Sequence, residues 1–273
     1  MKRFLSIATV LLAGLSAHSQ FTQTLKDHDI FNHLGIGAGI GTTGISVELG
    51  TTITQWVQFR AGADIMPKFK FNTNLDLEQY GITGNDYYYE RPTLNNVDVQ
   101  GKITNTLGHF LFDIFPFTKF SSFHVTVGAY FGGKQVITAY NTSGQTELKD
   151  VYDFNNRSGK YSDVPASEGK IGVSLGDYFI EPDAQGNLAA SIKVNDFRPY
   201  VGLGFGRIVP KSRINCLFDL GVQFWGKPQV WNDINHEQLT MEHANGEDGG
   251  IIKFTSKISV FPVLNIKIVG RIL

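Results

Sequence analysis

The chain has 273 residues, a formal net charge of −1 and one cysteine. The near-neutral charge argues against nucleic acid as a partner, because nucleic-acid-binding surfaces are strongly basic. A single cysteine excludes an intramolecular disulfide. The mean hydropathy of −0.09 is typical of soluble proteins, but alternating membrane-spanning β-strands average to similar values.

Residues 1–20 have the pattern of a secretory signal peptide. Lys2 and Arg3 form a basic start, an apolar stretch from Phe4 to Leu15 follows, and small or polar residues end the segment. A membrane-anchoring helix is the alternative, but about 12 apolar residues are too few, since a spanning helix needs about 20. We therefore predict cleavage between residues 17 and 20 and one mature domain, residues 21–273.

The first strands are predicted by apolar residues that alternate with glycine or polar residues. Residues 34–41 alternate Leu, Ile and Ala with glycine, and Thr42-Thr43 forms a tight turn. Residues 45–53 and 57–65 repeat the alternation. A period of two indicates β-strands rather than helices. The polar face of these strands carries Glu48, Arg60 and Asp64.

A fourth strand is predicted from Val97 to Ile114. The alternation changes phase near residues 105–108, which indicates a β-bulge. A fifth strand covers residues 123–131, and residues 178–194 form a hairpin. On this interpretation the face opposite the apolar one carries Asp98, Lys102, His109, Asp113 and His124.

The clearest alternation lies in the last three strands. In residues 198–206 apolar side chains alternate with glycine, and residues 214–224 have one uniformly apolar face. The opposite face, including the final strand near residues 264–272, carries Arg198, Asp219, Lys267 and Arg271. Large apolar groups on one face, with glycine and a few charges on the other, are typical of a barrel whose exterior contacts lipid.

We therefore predict an all-β fold: a closed antiparallel transmembrane β-barrel of eight strands with long outer loops. Short connections near residues 51–55, 115–121 and 208–213 alternate with long ones at 72–94, 141–187 and 226–260, as periplasmic turns and outer loops do. Ten strands are the alternative if the 178–194 hairpin joins the wall. A soluble secreted β-sandwich or lipocalin-like binder would instead bury the apolar face of Val201, Phe205 and Phe218.

The polar residues above are expected to face the lumen as five acids and five bases with two histidines. A small barrel has room only for side chains, and buried charges must pair. This predicts a filled lumen without a through pore; a narrow porin is the alternative. A second alternative is an outer-membrane enzyme acting on lipid or peptide, in which His109 with Asp113, or His124, works beside a serine.

No catalytic, cofactor or metal motif supports the enzyme hypothesis. Neither the Gly-x-Ser-x-Gly nor the His-Glu-x-x-His motif occurs. His236 and His243 lie in an acidic loop, but their spacing is not a ligand pattern, so a solvated loop is expected. Aromatic belts are predicted at both membrane interfaces. Their residues are Trp56, Phe115, Phe117 and Phe120 on one side, and Tyr140, Trp225 and Trp231 on the other.

Four segments resemble a family of small outer-membrane β-barrel proteins of the Bacteroidetes type. They are residues 111–117, 198–206, 219–228 and 261–264. The resemblance implies location in the cell outer membrane, contact with its lipid and insertion by the barrel-assembly machinery. The ending Arg271-Ile272-Leu273 departs from the aromatic terminus common in such barrels. The expected role is structural, or binding of an unidentified ligand or partner through the outer loops.

Overall fold

The computed structural model describes residues 33–82, 89–93, 96–118, 121–175, 178–239 and 259–272. The predicted signal peptide lies outside these residues. The strands and the α-helix are β1 (Leu34–Gly41), β2 (Gly44–Thr54), β3 (Val57–Ile65), β4 (Phe69–Leu75), β5 (Leu77–Tyr80), β6 (Val97–Ile103), β7 (Thr106–Ile114), β8 (Phe123–Gly132), β9 (Gln135–Asn141), α1 (Gln145–Asn155), β10 (Lys170–Leu175), β11 (Tyr178–Ile180), β12 (Ala189–Lys193), β13 (Phe197–Phe205), β14 (Ile214–Phe224), β15 (Gln229–Asn232), β16 (Glu237–Gln238) and β17 (Val260–Arg271). Two 3-10 turns cover Gly159–Tyr161 and Ala166–Glu168.

Eight of these strands close an antiparallel barrel in the order β1-β17-β14-β13-β8-β7-β3-β2. The first strand, β1, pairs with its sequence neighbour β2 and with the last strand, β17, which closes the sheet. The prediction of eight strands is confirmed. The ten-stranded alternative is wrong, because β11 pairs with β10 and β12 pairs with β9 and β15, all outside the barrel wall.

The barrel carries its large apolar side chains on the outside. Every strand of the barrel has exposed residues on its outward face; for example, Ile40 is 68% exposed and Phe205 is 56% exposed. We call this surface the lipid-facing band. The soluble sandwich or lipocalin-like alternative is wrong, since it would bury Phe205 and Phe218, and Phe218 is 45% exposed. An apolar exterior around a polar lumen is the arrangement of a transmembrane barrel.

The two ends of the barrel differ in the length of their connections. At one end β2 and β3 are joined by a two-residue turn, and short segments join β7 to β8 and β13 to β14. The described ends of the chain also meet there, where the Ile272 amide donates to the Leu34 carbonyl at 2.8 Å. At the other end, residues 66–105 and 133–196 form long connections. Short inner turns and long outer connections match the pattern of outer-membrane barrels.

The long connections are folded rather than loose. A six-stranded sheet with the order β16-β15-β12-β9-β6-β4 stands beyond the barrel. Five of its strands continue the neighbouring wall strands β14, β13, β8, β7 and β3 in the same lateral order. Backbone hydrogen bonds cross the junction, from Gly132 to Asp196 at 3.0 Å and from Asn195 to Trp225 at 2.8 Å. One side of the barrel wall therefore extends above the mouth.

The extended sheet carries its own hydrophobic core. Helix α1 and the three-stranded sheet β11-β10-β5 cover one face of it. The core includes Val97, Val99, Leu148, Val151, Phe154, Tyr161, Ile171 and Val173. We call this assembly, the described parts of residues 66–105, 133–196 and 225–239, the outer module. Among the residues that the structure describes, no helix is long and apolar enough to cross a membrane.

Candidate functional site

The centre of the lumen is organised around Arg60, which is completely buried. Its Nη1 and Nη2 atoms donate to Asp219 Oδ2 and Oδ1 at 2.8 and 3.0 Å. The Nη2 atom also donates to Asp113 Oδ1 at 2.8 Å, and Nη1 donates to Glu48 Oε1 at 3.3 Å. One guanidinium thus contacts three carboxylates that come from three different strands. Bidentate pairing of this kind is the strong form of a charge-assisted hydrogen bond.

Lys267 is the second permanent cation of the lumen. Its Nζ donates to Glu48 Oε2 at 2.6 Å and lies 3.8 Å from Asp219 Oδ2. Strand β17 holds this residue at a position where it is 1% exposed. Because Glu48 lies between the ammonium of Lys267 and the guanidinium of Arg60, the two cations share their carboxylate partners.

Two histidines complete this cluster. His109 Nε2 lies 3.1 Å from Glu48 Oε2, and His124 Nε2 lies 3.2 Å from Asp219 Oδ1. His109 Nδ1 is 3.5 Å from Asp64 Oδ1, an electrostatic contact too long and poorly aligned to satisfy that oxygen as a hydrogen bond. Four carboxylates therefore surround two basic side chains and two histidine rings. We call these eight residues the lumen network: Glu48, Arg60, Asp64, His109, Asp113, His124, Asp219 and Lys267.

Apolar and aromatic side chains fill the lumen on the outer side of the network. Tyr130 and Tyr200 are in edge-to-face contact with ring centroids 5.3 Å apart. Leu107, Leu111 and Val263 complete this layer. Each of these side chains is at most 3% exposed.

The inner side of the network is closed by the segment that joins β13 to β14. Ile208 is completely buried, and Gln58 Nε2 donates to the Val209 carbonyl at 3.3 Å. The guanidinium of Arg207 lies 3.9 Å from the ring centroid of Phe115, itself completely buried. We call residues 207–209 with Phe115 the inner plug. The lumen is thus filled on both sides of the lumen network.

Lumen-facing glycines provide the space for these side chains. A Cβ atom on Gly35 would lie 2.0 Å from the Ile208 carbonyl oxygen, and one on Gly50 would lie 2.5 Å from the Ile208 side chain. A Cβ atom on Gly204 would lie 2.3 Å from His124 Nε2. The glycine-rich faces of β1 and β13 are therefore needed for close approach of the inner plug and the lumen network.

The structure brings eight of the twelve predicted lumen residues together and places four elsewhere. Arg198 is buried in the lumen near the outer end, but its Nε and Nη2 donate to the carbonyls of Asn195 and Gly133, both at 2.8 Å. It has no ion pair with the lumen network. Arg271 is exposed at the inner end of β17, where the strand leaves the barrel. The expectation of a lumen position for Arg271 is therefore wrong.

Asp98 and Lys102 lie in the outer module and not in the lumen, which corrects the prediction. No β-bulge reverses the faces near residues 105–108: even-numbered residues point outward from Asp98 through Phe110. Val97 and Val99 point inward and form part of the module core. Above the membrane the outside is water, so the apolar side turns inward and the polar side turns outward.

Several buried residues of the lumen are not among the twelve predicted site residues. Thr126 donates to Asp113 Oδ1 at 2.8 Å, and Ile208 fills the space beside Gly35 and Gly50. Phe115, predicted in an interfacial belt, is instead buried in the inner plug. The strand alternation places Thr126 inward, but a turn such as residues 206–213 has no period from which its burial can be predicted. Phe120 of the same belt lies outside the described residues.

The arrangement offers histidine–carboxylate pairs but no access to them. His109 and His124 are at most 1% exposed. The enzyme hypothesis requires an accessible cleft beside one of these rings, and the side chains around them leave neither ring open to solvent. Within the ranges that the structure describes, no three His, Cys, Asp or Glu side chains are arranged to hold a metal ion. His236 is exposed, and His243 lies outside those ranges.

The solvent-facing side of the six-stranded sheet is the second polar feature. It carries Lys70, Asn72, Gln100, Lys102 and Tyr140 on adjacent strands. Tyr140 and Trp231, which are predicted in an interfacial belt, lie on this sheet, on β9 and β15. Trp56 and Phe117 remain exposed at the inner end of the barrel.

No protein-family model and no curated protein matches the chain. Among solved structures it is similar to Acinetobacter baumannii CarO2, with 16% identity, 88% of this chain and 98% of that chain covered, and a TM-score of 0.47. For Acinetobacter baumannii CarO these values are 15%, 86%, 96% and 0.45. A major outer membrane protein from Thermus thermophilus is 13% identical, with 88% and 98% covered and a TM-score of 0.29.

Proposed function

We propose that this protein is an outer-membrane barrel of a Gram-negative cell envelope that does not conduct solutes and that displays the outer module as a binding surface. Its role is structural or interactive, and no catalytic activity is assigned to it. The observation that carries the proposal is the lumen network, whose charged side chains are at most 2% exposed and span the barrel from wall to wall.

The location is supported by the lipid-facing band and by the chain's resemblance to Bacteroidetes-type barrels. Burying apolar surface in hydrocarbon stabilises the protein by about 25 cal/mol per Å², whereas the same band would be exposed to water in a soluble protein. The signal peptide predicted at residues 1–20 and insertion by the barrel-assembly machinery belong to the same proposal. Amino-terminal sequencing of the protein from outer-membrane fractions tests the cleavage between residues 17 and 20.

The membrane position of the barrel can be tested with its own cysteine. Cys216 is exposed on the lipid-facing side of β14. A bimane label on Cys216 should be quenched by brominated lipid after the protein is folded into vesicles. A matched label on Ser162→Cys in a Cys216→Ser background, exposed in the outer module, should not be quenched. Equal quenching of the two labels would contradict the assignment of the lipid-facing band.

The closed lumen can be tested by conductance. The wild-type protein inserted in a planar bilayer should show no current steps above the bare bilayer. Insertion is verified separately by a shift in gel mobility when the folded sample is boiled. Steady single-channel currents from verified, folded protein would overturn the closed-lumen part of the proposal and favour the narrow-porin alternative.

The binding role is supported by the outer module's own folded core. A structural barrel needs only short connections, but here the outer connections form a continuous sheet with buried apolar residues. A rigid sheet fixes the positions of its surface side chains, which lowers the entropic cost of binding. Deleting the outer module while keeping the barrel should abolish any surface binding without removing the protein from the membrane.

A further inference from the structure

Two lysines face each other on the solvent side of the extended sheet. Lys70 on β4 and Lys102 on β6 are direct cross-strand partners. Like charges at directly opposed positions destabilise a sheet. Within the ranges that the structure describes, neither ammonium has a carboxylate partner, since every ion pair formed there involves other residues. The pair is therefore a local concentration of unneutralised positive charge.

Two other lysines at the same end of the barrel lie beside a carboxylate. Lys134 Nζ lies 3.9 Å from Asp196 Oδ2, and Lys193 Nζ lies 3.5 Å from Asp233 Oδ1. Lys193 also lies over the ring of Trp231, 4.2 Å from its centroid. Lys70 and Lys102 differ from these two lysines in having no carboxylate partner among the described residues.

A row of amide and phenol groups lies directly above the lysine pair. Gln100 Nε2 donates to Asn72 Oδ1 at 3.0 Å, and the Tyr140 hydroxyl donates to Gln100 Oε1 at 2.6 Å. Residues 72, 100 and 140 are aligned across β4, β6 and β9. This row holds donors, acceptors and a 39% exposed aromatic ring in fixed positions on a flat surface. We call the two rows together the rim face.

The rim face continues the lipid-facing band. Lys102 and Phe110 lie on the same outward face of the β6–β7 segment. The uppermost pair of β3 and β7 is Ile65 with Thr106. Lys102 is four residues beyond Thr106, which is about 13 Å along a strand and about 10 Å in height for a strand tilted by about 40°. The polar zone of a bilayer extends about 5–8 Å beyond each side of the hydrocarbon. With Ile65 and Thr106 at the upper edge of the hydrocarbon, the backbone of the lysine pair lies about 2–5 Å beyond this polar zone.

We propose that the rim face binds the phosphorylated sugar headgroup of a glycolipid in the outer leaflet. The lysine row nearest the membrane is complementary to phosphate groups, and the Asn72, Gln100 and Tyr140 row above it is complementary to sugar hydroxyls. A glycolipid whose acyl chains lie against the lipid-facing band places its headgroup at this height. The inference rests on the proposed outer-membrane location and adds the lipid class that contacts the protein.

The test uses the full chain folded in zwitterionic detergent and titrated with a synthetic bis-phosphorylated diglucosamine lipid. Native mass spectrometry gives the fraction of protein carrying one lipid and hence an apparent Kd. The Lys70→Gln/Lys102→Gln double variant should bind about 25-fold more weakly, because each lysine near an anionic surface contributes about fivefold. The Lys149→Gln/Lys211→Gln variant loses the same charge at exposed sites in α1 and an inner turn and should bind like wild type.

Three further lipids or ions separate the sources of the effect. The phosphate-free diglucosamine lipid should bind wild type and the Lys70/Lys102 variant equally and weakly. Phosphatidylglycerol and inorganic phosphate should each bind wild type at least about tenfold more weakly than the phosphorylated glycolipid. Equal affinity for either of these would overturn the glycolipid assignment.

Failure of this inference is distinct from failure of the proposed function. Equal Kd values for the two double variants, both shifted in gel mobility on boiling, would overturn the rim-face assignment alone. Absence of the mobility shift in wild type folded with lipid vesicles would overturn the membrane barrel itself. Gln100→Ala, which removes the centre of the amide row, should weaken binding with the lysine pair intact; unchanged binding would overturn the role of that row.

Discussion

The Arg60 guanidinium and the Asp219 carboxylate form two parallel hydrogen bonds across the lumen, at 2.8 and 3.0 Å. Both groups are at most 2% exposed, so neither can exchange its partner for bulk water. Breaking a buried pair by removing one member leaves the other charge uncompensated, which costs about 3–5 kcal/mol.

Arg60→Met should therefore lower the free energy of unfolding by about 3–5 kcal/mol. The reason is that Asp113 and Asp219 lose their main partner while remaining buried. Urea unfolding in phospholipid vesicles, followed by tryptophan fluorescence, measures the loss. Arg213→Met removes the same charge from an exposed turn and should be nearly neutral, and equal unfolding midpoints for both variants would contradict the role of the lumen network.

Phe218→Arg should impair insertion, because it places a charge at the middle of β14 on the lipid-facing band. The expected cost is about 2–4 kcal/mol near the bilayer midplane. The fraction of protein that folds into vesicles, read from gel mobility before and after boiling, checks this. Phe69→Arg makes the same replacement at an exposed position of the outer module. The face assignment would be wrong if the two variants folded equally well.

Gly35→Ala should displace the inner plug. The new Cβ would lie 2.0 Å from the Ile208 carbonyl oxygen, and this backbone atom cannot move without the whole segment. Overpacking of this kind costs about 1–3 kcal/mol. Hydrogen exchange of the 206–213 amides should rise along with the loss of stability. Gly133→Ala, where the added methyl meets nothing within 4 Å, serves as the control, and protection equal to wild type in Gly35→Ala would refute the argument.

The turn at Asp183 in the outer module should weaken in acid. Partial burial raises the pKa of Asp183, but hydrogen bonds from the Asn187 and Gln185 amides, at 2.7 and 2.9 Å, lower it by more than burial raises it. The net pKa therefore lies below its ordinary value of 3.8. A carboxylate with a depressed pKa stabilises the turn fully above 3.8 and loses this effect as the pH falls through the lower folded value.

Exchange protection of the Asn187 amide, corrected for its intrinsic rate, should therefore fall as the pH is lowered below 3.8. Asp183→Asn cannot titrate and should show constant protection over the same range. A decline of equal size in that variant would show that another group controls the turn.

The barrel could be predicted from the sequence because its strands share one pattern. The wall strands alternate apolar outward residues with inward residues that are mostly small or polar, so eight strands and their faces follow from a period of two. Large apolar residues face inward at Leu107, Leu111, Leu217, Val263 and Val269. The same rule places Glu48, Arg60 and Asp219 in one lumen, although it gives no distances between them. The length and alternation of the connections then indicate which end is outside.

The outer module could not be predicted in this way, because the rule reverses where the strands leave the lipid. In β6 and β7, Val97 and Phe110 are both apolar, but Val97 faces inward to a core and Phe110 faces outward to hydrocarbon. If the whole segment is assumed to cross lipid, the change of environment between Val97 and Phe110 is mistaken for a change of strand phase, and a β-bulge is predicted. Only the pairing of β6 with β4 and β9 shows that the strand continues without one.

The continuation of five wall strands into the extended sheet has a mechanical consequence. A pull or twist applied to the exposed end of β9 or β12 is transmitted through two- and three-residue connections to β8 and β13 inside the bilayer, and backbone hydrogen bonds join these connections to each other. If the outer module were separated from the barrel, five of its strands would lose the wall strands that set the distances between them. The membrane-embedded half therefore serves as the foundation on which the exposed half is aligned, and the two are expected to stiffen or loosen as one body.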